Sequence, residues 1–328
     1  MPKVEKSQVL NFLWLNLDLP AKPDPEDGSI RKPLPEEYIE NVRAAGKRHP
    51  QAEIDLWVDS KRLTEKQMAY LKAVTEIDRP NVHIKDLRTI PAYNNEKLYN
   101  EGETNENWRV AWSGKIWLQV DAAKILISLQ GNFDQSFFAD LDHAHLDIES
   151  KEVQKMLGRH GLMIGSAFEG GASIENQLWG FEPRQRVFFE QYYERAVQSA
   201  YNGFNGFGDL CSMVSGFKDG DHPVPEHEIC LPIGSKGLAH AIQPGHEWSG
   251  GAKAAKTETK LSACWRWLTG RKKADDHSSG FAVIPADKLA AIFSAADARK
   301  SVTPEKVPVP AAAAGTMKQS VQGGKPTV

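Results

Sequence analysis

Apolar and polar positions change period repeatedly along this chain, and each change marks an element. Residues 8–15 are almost continuously apolar, which predicts a buried first strand. Residues 20–35 are polar and proline-rich and read as a connection. Over residues 36–48, Tyr38, Ile39, Val42 and Ala45 recur at the spacing of one helix face. Residues 52–58 alternate in their first half and predict a second strand. Thr64 is placed to cap a helix over 65–74, and 82–87 predicts a third short strand. Residues 95–107 are polar and predict a loop. An apolar helix over 114–130 and a strand over 136–140 follow. Residues 161–165 predict a further strand, and 185–200 an amphipathic helix. Residues 202–257, rich in Gly, Pro and His, read as a long irregular segment, the kind that often forms lids or binding loops. A last helix is predicted over 286–294. Strands alternating with helices favour an α/β sheet with helices on its faces.

Two regions are expected: a catalytic domain over 1–300 and a low-complexity, disordered tail over 301–328, with an alanine run and no aromatics.

The chemistry concentrates at one strand end. Phe137-Phe138-Ala139 runs straight into Asp140-Leu141-Asp142. Alternate carboxylates there project into one crevice and can hold a divalent cation through hard oxygen ligands. An isolated D-x-D is a weak signal, because any exposed turn can carry one. The apolar approach and the preceding helix strengthen it. On that helix Asp121 and Lys124 stand three residues apart among Val120, Ile125 and Leu126, so the pair is expected to be largely buried. Trp57 is expected in the core, and Asp59 to cap the turn after its strand. His143 and His145 suggest a second metal arrangement with Asp142, suited to a transition metal. Glu175 and Asn176 read either as a helix start or as groups facing an acceptor.

Bulk composition narrows the classes. The 328 residues are 41% hydrophobic and 25% charged, ordinary for a soluble globular protein. A net charge of -3 and a longest basic run of Arg271-Lys272-Lys273 give no nucleic-acid footprint. Three scattered cysteines argue against a disulfide framework and for reduced thiols in a cytosolic setting. No transmembrane segment or Sec-type signal is read, so the expected location is the cytoplasm of the producing cell, with delivery into a host cell as an extension.

The ordered set of Phe12-Leu13-Trp14, Leu56-Trp57-Val58-Asp59-Ser60, Asp121-Ala-Ala-Lys124 and Phe138-Ala-Asp140-Leu-Asp142 resembles the catalytic domain of the large clostridial toxins. It is similar, more widely, to glycosyltransferases with a D-x-D sugar-binding region. The resemblance spans roughly residues 8–180. It implies a GT-A type nucleotide-sugar-binding sheet and a retaining sugar transfer from a UDP-sugar to a protein or glycan. Mn2+ or Mg2+ would be the cofactor. It also implies roles. Trp14 would stack on uracil, with Leu13 in the same slot, and Phe138 would lie beside the ribose. Asp121 would hydrogen-bond sugar hydroxyls. Asp140 would contact ribose and, through water, the metal, which Asp142 would ligate directly. Asn176, Trp248 and His246 are further candidates, the last as a C-terminal metal ligand. Two departures stand out. Lys124 replaces the family's Arg, losing its bidentate fork. Gly131-Asn-Phe-Asp-Gln135 replaces a glycine pair. Competing readings are a metal-dependent phosphohydrolase and a non-catalytic nucleotide-binding protein on a transferase scaffold.

Overall fold

A seven-stranded sheet grows outward in both directions from the first strand, β1 (Gln8–Leu13). The computed structural model describes residues 7–232, apart from 17, 77–78, 101–112, 144–145, 167–173 and 205, and then residues 283–300. The expected tail over 301–328 lies outside the described residues. After β1, a two-residue strand, β2 (Ile30–Arg31), interrupts the connection. The chain then forms α1 (Glu36–Arg48), β3 (Glu53–Val58), α2 (Glu65–Thr75) and β4 (Val82–Asp86). Local chemistry explains these elements. Glu36 and Glu37 open α1 and Lys47 and Arg48 close it, matching the helix dipole. Thr64 and Gln67 form a reciprocal capping box on α2.

Short helices α3 (Pro91–Asn95) and α4 (Lys97–Asn100) occupy the start of the expected polar loop. Then come α5 (Ser113–Ser128), β5 (Gln135–Ala139), α6 (Lys151–His160), β6 (Leu162–Ser166) and β7 (Ile174–Phe181). Ser150 caps α6, and Gly161 ends it at φ +71°, where an added Cβ would meet Arg184 Nε at 2.5 Å. The order closes with α7 (Arg186–Tyr201), α8 (Phe207–Ser215), β8 (Lys218–Asp219), β9 (His222–Pro223), β10 (Cys230–Pro232), β11 (Val283–Ile284) and α9 (Ala286–Lys300).

The strand order is β10-β6-β7-β5-β1-β3-β4. Every pairing is parallel except those of β7, which runs antiparallel to both β5 and β6. This is an α/β fold with a mixed sheet and helices on both faces. One face packs Leu13, Trp57 and Phe138 against α5, α7 and α8. The other packs Leu10, Phe12 and Phe137 against α1, α2 and α6. Strand β11 pairs with β2, and Leu289 of α9 joins the second face, so residues 283–300 dock on the N-terminal half. Among the described residues no helix is long and apolar enough to cross a membrane.

Two sequence expectations change, and one element had no reading. Residues 151–160 form a helix that periodicity did not suggest. The segment after 202 contains α8 and so is not wholly irregular. Glu175 and Asn176 lie in β7 and start no helix. Strand β7 has no period of two, because its first half lines a polar crevice and its second half is buried between two strands.

The connection through α1 carries the chain from β1 to β3 on one side, while β5 pairs with β1 on the other. In an open α/β sheet such a reversal opens a crevice beyond the carboxyl ends of the strands, where ligands bind.

Candidate functional site

Strand β5 delivers its two carboxylates into that crevice by two devices. Asp140 ends the strand, its N–H donating to Gln177 O at 2.8 Å. The chain then makes one tight turn, Leu141–His143, closed by His143 N–H donating to Asp140 O at 2.8 Å. Asn41 Nδ2 of α1 donates to Leu141 O at 2.8 Å and pins the turn. Asp142 therefore reaches the crevice from a turn and not from strand alternation.

Helix α5 lies against the same strand. Lys124 Nζ sits 2.8 Å from Asp140 Oδ1 and 3.1 Å from Oδ2. The ammonium also stands 5.4 Å from the centroid of the Phe138 ring. Asn176 Nδ2 donates to Asp121 Oδ1 at 3.0 Å. The helix thus spreads Asp121 and Lys124 to different partners, and both are buried. Asp142 is held less closely: its Oδ1 is buried without a hydrogen-bond partner among the described residues, with His143 Nε2 3.9 Å away. The nearby His143 gives Nε2 to Gln177 Oε1 at 2.7 Å, and its Nδ1 is also buried without a partner.

Negative charge exceeds positive here. Asp121, Asp140, Asp142 and Glu175 gather around one lysine, with His143 beside them. Burial raises the Asp121 carboxyl to about 6, against the opposing pull of Lys124. Burial likewise raises Asp140, and Lys124 offsets only part of it. Glu175 is raised for the same first reason. Burial alone would lower Lys124, yet Asp140 and Asp121 hold it above the ordinary lysine value, so it stays charged. Tyr38 is pushed up to about 12, first by burial and then by the Asp142 charge.

The remaining candidates are placed unevenly. Trp14 is half-buried, its Nε1 donating to Pro33 O at 2.9 Å, with its ring 5.7 Å from that of Tyr38. Leu13 is buried in the α5-side core and offers little surface. Phe138 corrects its expectation. It is 0% exposed and stacks on Trp179 at 4.7 Å, so no ribose can reach it. The physical reason is alternation and cover: Phe138 turns onto the α5 face and Trp179 packs over it. Trp248, His246 and His145 lie outside the described residues. Gln177, which holds both Asp140 and His143, was missed, since β7 has no legible period.

A second strand end was read only as a turn cap. Asp59, 1% exposed, accepts from Lys61 N, from Arg62 Nε at 3.2 Å and from Tyr93 Oη at 3.0 Å. Arg88 adds a bidentate grip at 2.7 and 2.6 Å. Burial pushes Asp59 up, but Arg88, the Lys61 N–H and Arg62 together outweigh it and the carboxyl is held below its usual range. Beside this hub opens a cavity of about 440 Å³ lined by Leu19, Pro20, Lys61, Arg88 and Asn100.

A scan against protein-family models finds no match, and a search of curated proteins finds none. Solved structures give distant likenesses. One is "PaToxG Glycosyltransferase", 13% identical, covering 60% of this chain and 62% of that one, with a TM-score of 0.40. Another, titled "Structure of Transferase", is 14% identical over 63% of this chain and 82% of that one, with a TM-score of 0.43. A third is the galactosyltransferase LgtC in complex with donor and acceptor sugar analogs, 12% identical over 79% of this chain and 99% of that one, with a TM-score of 0.32. The chain spans 62% of the length of the first. No residue role is transferred from these structures. These are distant structural likenesses, in fold and not in sequence.

Proposed function

We propose that this protein is a metal-dependent glycosyltransferase that moves a sugar, with retention, from a UDP-sugar to a protein or glycan acceptor. One observation carries the reading. A crowd of carboxylates stands at the carboxyl ends of the strands beside the β1/β5 reversal, and Asp142 Oδ1 within it is buried and unsatisfied.

A divalent cation fits these residues. The donors are hard oxygens, the site has excess negative charge, and an orphaned carboxylate oxygen points to a missing partner. Asp142 would hold Mn2+ or Mg2+ directly, with Asp140 behind it. When bound, the cation would neutralise charge developing on a diphosphate leaving group. The chain's own residues do the rest. Lys124 fixes the Asp140 carboxylate through both oxygens. Asn176 orients Asp121, whose second oxygen is left for a sugar hydroxyl. The Trp14 ring supplies an apolar face at the end of β1 for a base.

The test is UDP release from a panel of UDP-sugars with Mn2+. Release from one donor, lost in Asp142→Ala, is the expected result. No release and no Mn2+-dependent UDP binding would end the reading. The rival phosphohydrolase reading draws on the unpartnered His143 Nδ1. It predicts cleavage of a phosphomonoester and indifference to UDP.

A further inference from the structure

Strands β3 and β4, along one edge of the sheet, carry a second ligand-bearing cluster. Register sets Asp55 of β3 directly opposite His83 of β4. Glu53 lies two residues before Asp55, on the same face. His83 Nε2 is 2.5 Å from Glu53 Oε2, and one ligand atom from each of the three residues falls within 4.8 Å of the others. Asp55 supplies the observation that hydrogen bonding within the cluster does not. It is 5% exposed, and its Oδ1 is buried without a hydrogen-bond partner. Lys85 Nζ forms an ion pair with that oxygen at 3.8 Å, too long for a hydrogen bond. The residue paired with Asp55 on its other side, Asn11, is engaged elsewhere: it donates to Phe137 O and accepts from Trp57 Nε1. A buried carboxylate oxygen without a donor is costly to keep, and a cation would relieve it.

We propose that Glu53, Asp55 and His83 bind one divalent transition-metal cation of the zinc class, which clamps the edge strand β4 to β3. One imidazole nitrogen with two carboxylate oxygens suits Zn2+ better than Mg2+ or Ca2+. Glu53 and His83 are open enough to admit the ion, and the Lys85 side chain is 43% exposed, so its ammonium can swing into water when the ion enters. Asn11 of β1 stands between Asp55 and Phe138, so two strand spacings, about 10 Å, and two further residues along β5 separate the site from Asp140. Its role is structural. Among the described residues strand β4 has a single sheet neighbour, and an ion shared with β3 secures it where an edge strand is weakest.

The experiment is equilibrium dialysis of the chelator-treated full chain against Zn2+, with thermal unfolding as a second readout. Asp142→Asn removes the candidate crevice ligand and should retain one Zn2+ per chain. His83→Gln, in the same Asp142→Asn background, should weaken binding by at least about 10-fold and abolish the Zn2+-induced rise in unfolding midpoint. Asp55→Asn should weaken it similarly, and its apo midpoint shows whether it folds. Absence of Zn2+ uptake by Asp142→Asn would overturn the site. So would unchanged affinity in His83→Gln. Binding lost in His83→Gln but fully kept in folded Asp55→Asn would reduce the site to a lone histidine and overturn it too.

Discussion

Asp59 and Asp142 are the same residue type just past the carboxyl ends of strands in one sheet, yet their surroundings are opposite. Asp59 is gripped by two arginines, a tyrosine and a backbone N–H, and its carboxyl is held low. Asp142 keeps an oxygen buried with no hydrogen-bond donor among the described residues, His143 Nε2 standing 3.9 Å from it. The difference separates a carboxylate that builds the molecule from one that the fold leaves ready for a ligand. A structural charge is satisfied from within the chain. A site charge is left short, and the shortfall is carried by the rest of the fold.

That contrast can be broken most forcefully at Asp59. Asp59→Ala leaves Arg62 and Arg88 buried without their shared partner, and should cost about 3–5 kcal/mol in urea unfolding. A loss below about 1 kcal/mol would mean that the hub is not structural. At Asp142 the expected effect is on turnover. Asp142→Ala should lower UDP-sugar hydrolysis by about 100- to 1,000-fold, or roughly 3–4 kcal/mol, with the unfolding midpoint unchanged or raised. An active Asp142→Ala enzyme would remove the site from this crevice.

A pH series sharpens the comparison at Asp121. Its folded carboxyl is raised to about 6, first by burial, so the native state holds its proton more tightly than the unfolded chain does. Its contribution is fully present below the unfolded value near 4 and is lost as pH rises through about 6. With a chelator present, Asp121→Asn should therefore flatten part of the decline in stability between pH 4 and 6. The difference should be about 3 kcal/mol, read by unfolding at each pH. An identical slope in both proteins would contradict the buried, under-compensated charge. The smallest effect belongs to Tyr93→Phe. Removing one of several donors to Asp59 should cost about 1 kcal/mol, because the arginines remain.

Much of the first half was legible from local pattern. The predicted helix over 36–48 coincides with α1, and the Thr64 cap and strands β1, β3, β4 and β5 stand where period and capping chemistry put them. Trp57 sits in the core as expected. The fold class followed from the alternation of strands and helices. Residues 151–160 and 174–181 were not legible as a helix and a strand. For the strand, the antiparallel insertion of β7 between two neighbours erases the alternation that would reveal it.

By itself the sequence determined what neighbours along the chain can decide: helix faces, caps, apolar strands, and the presence of Asp140 and Asp142 at a strand end. Tertiary structure decided who meets whom. Lys124 pairs with Asp140, 16 residues away, and leaves Asp121 to Asn176, 55 residues away. Phe138 went to the core, Asp59 became a hub with Arg88 29 residues on, and an Asp142 oxygen was left without a hydrogen-bond donor among the described residues. The reason is physical. Period and propensity act within a few residues, whereas desolvation, ion pairing and hydrogen-bond satisfaction depend on distances that only the packed chain sets.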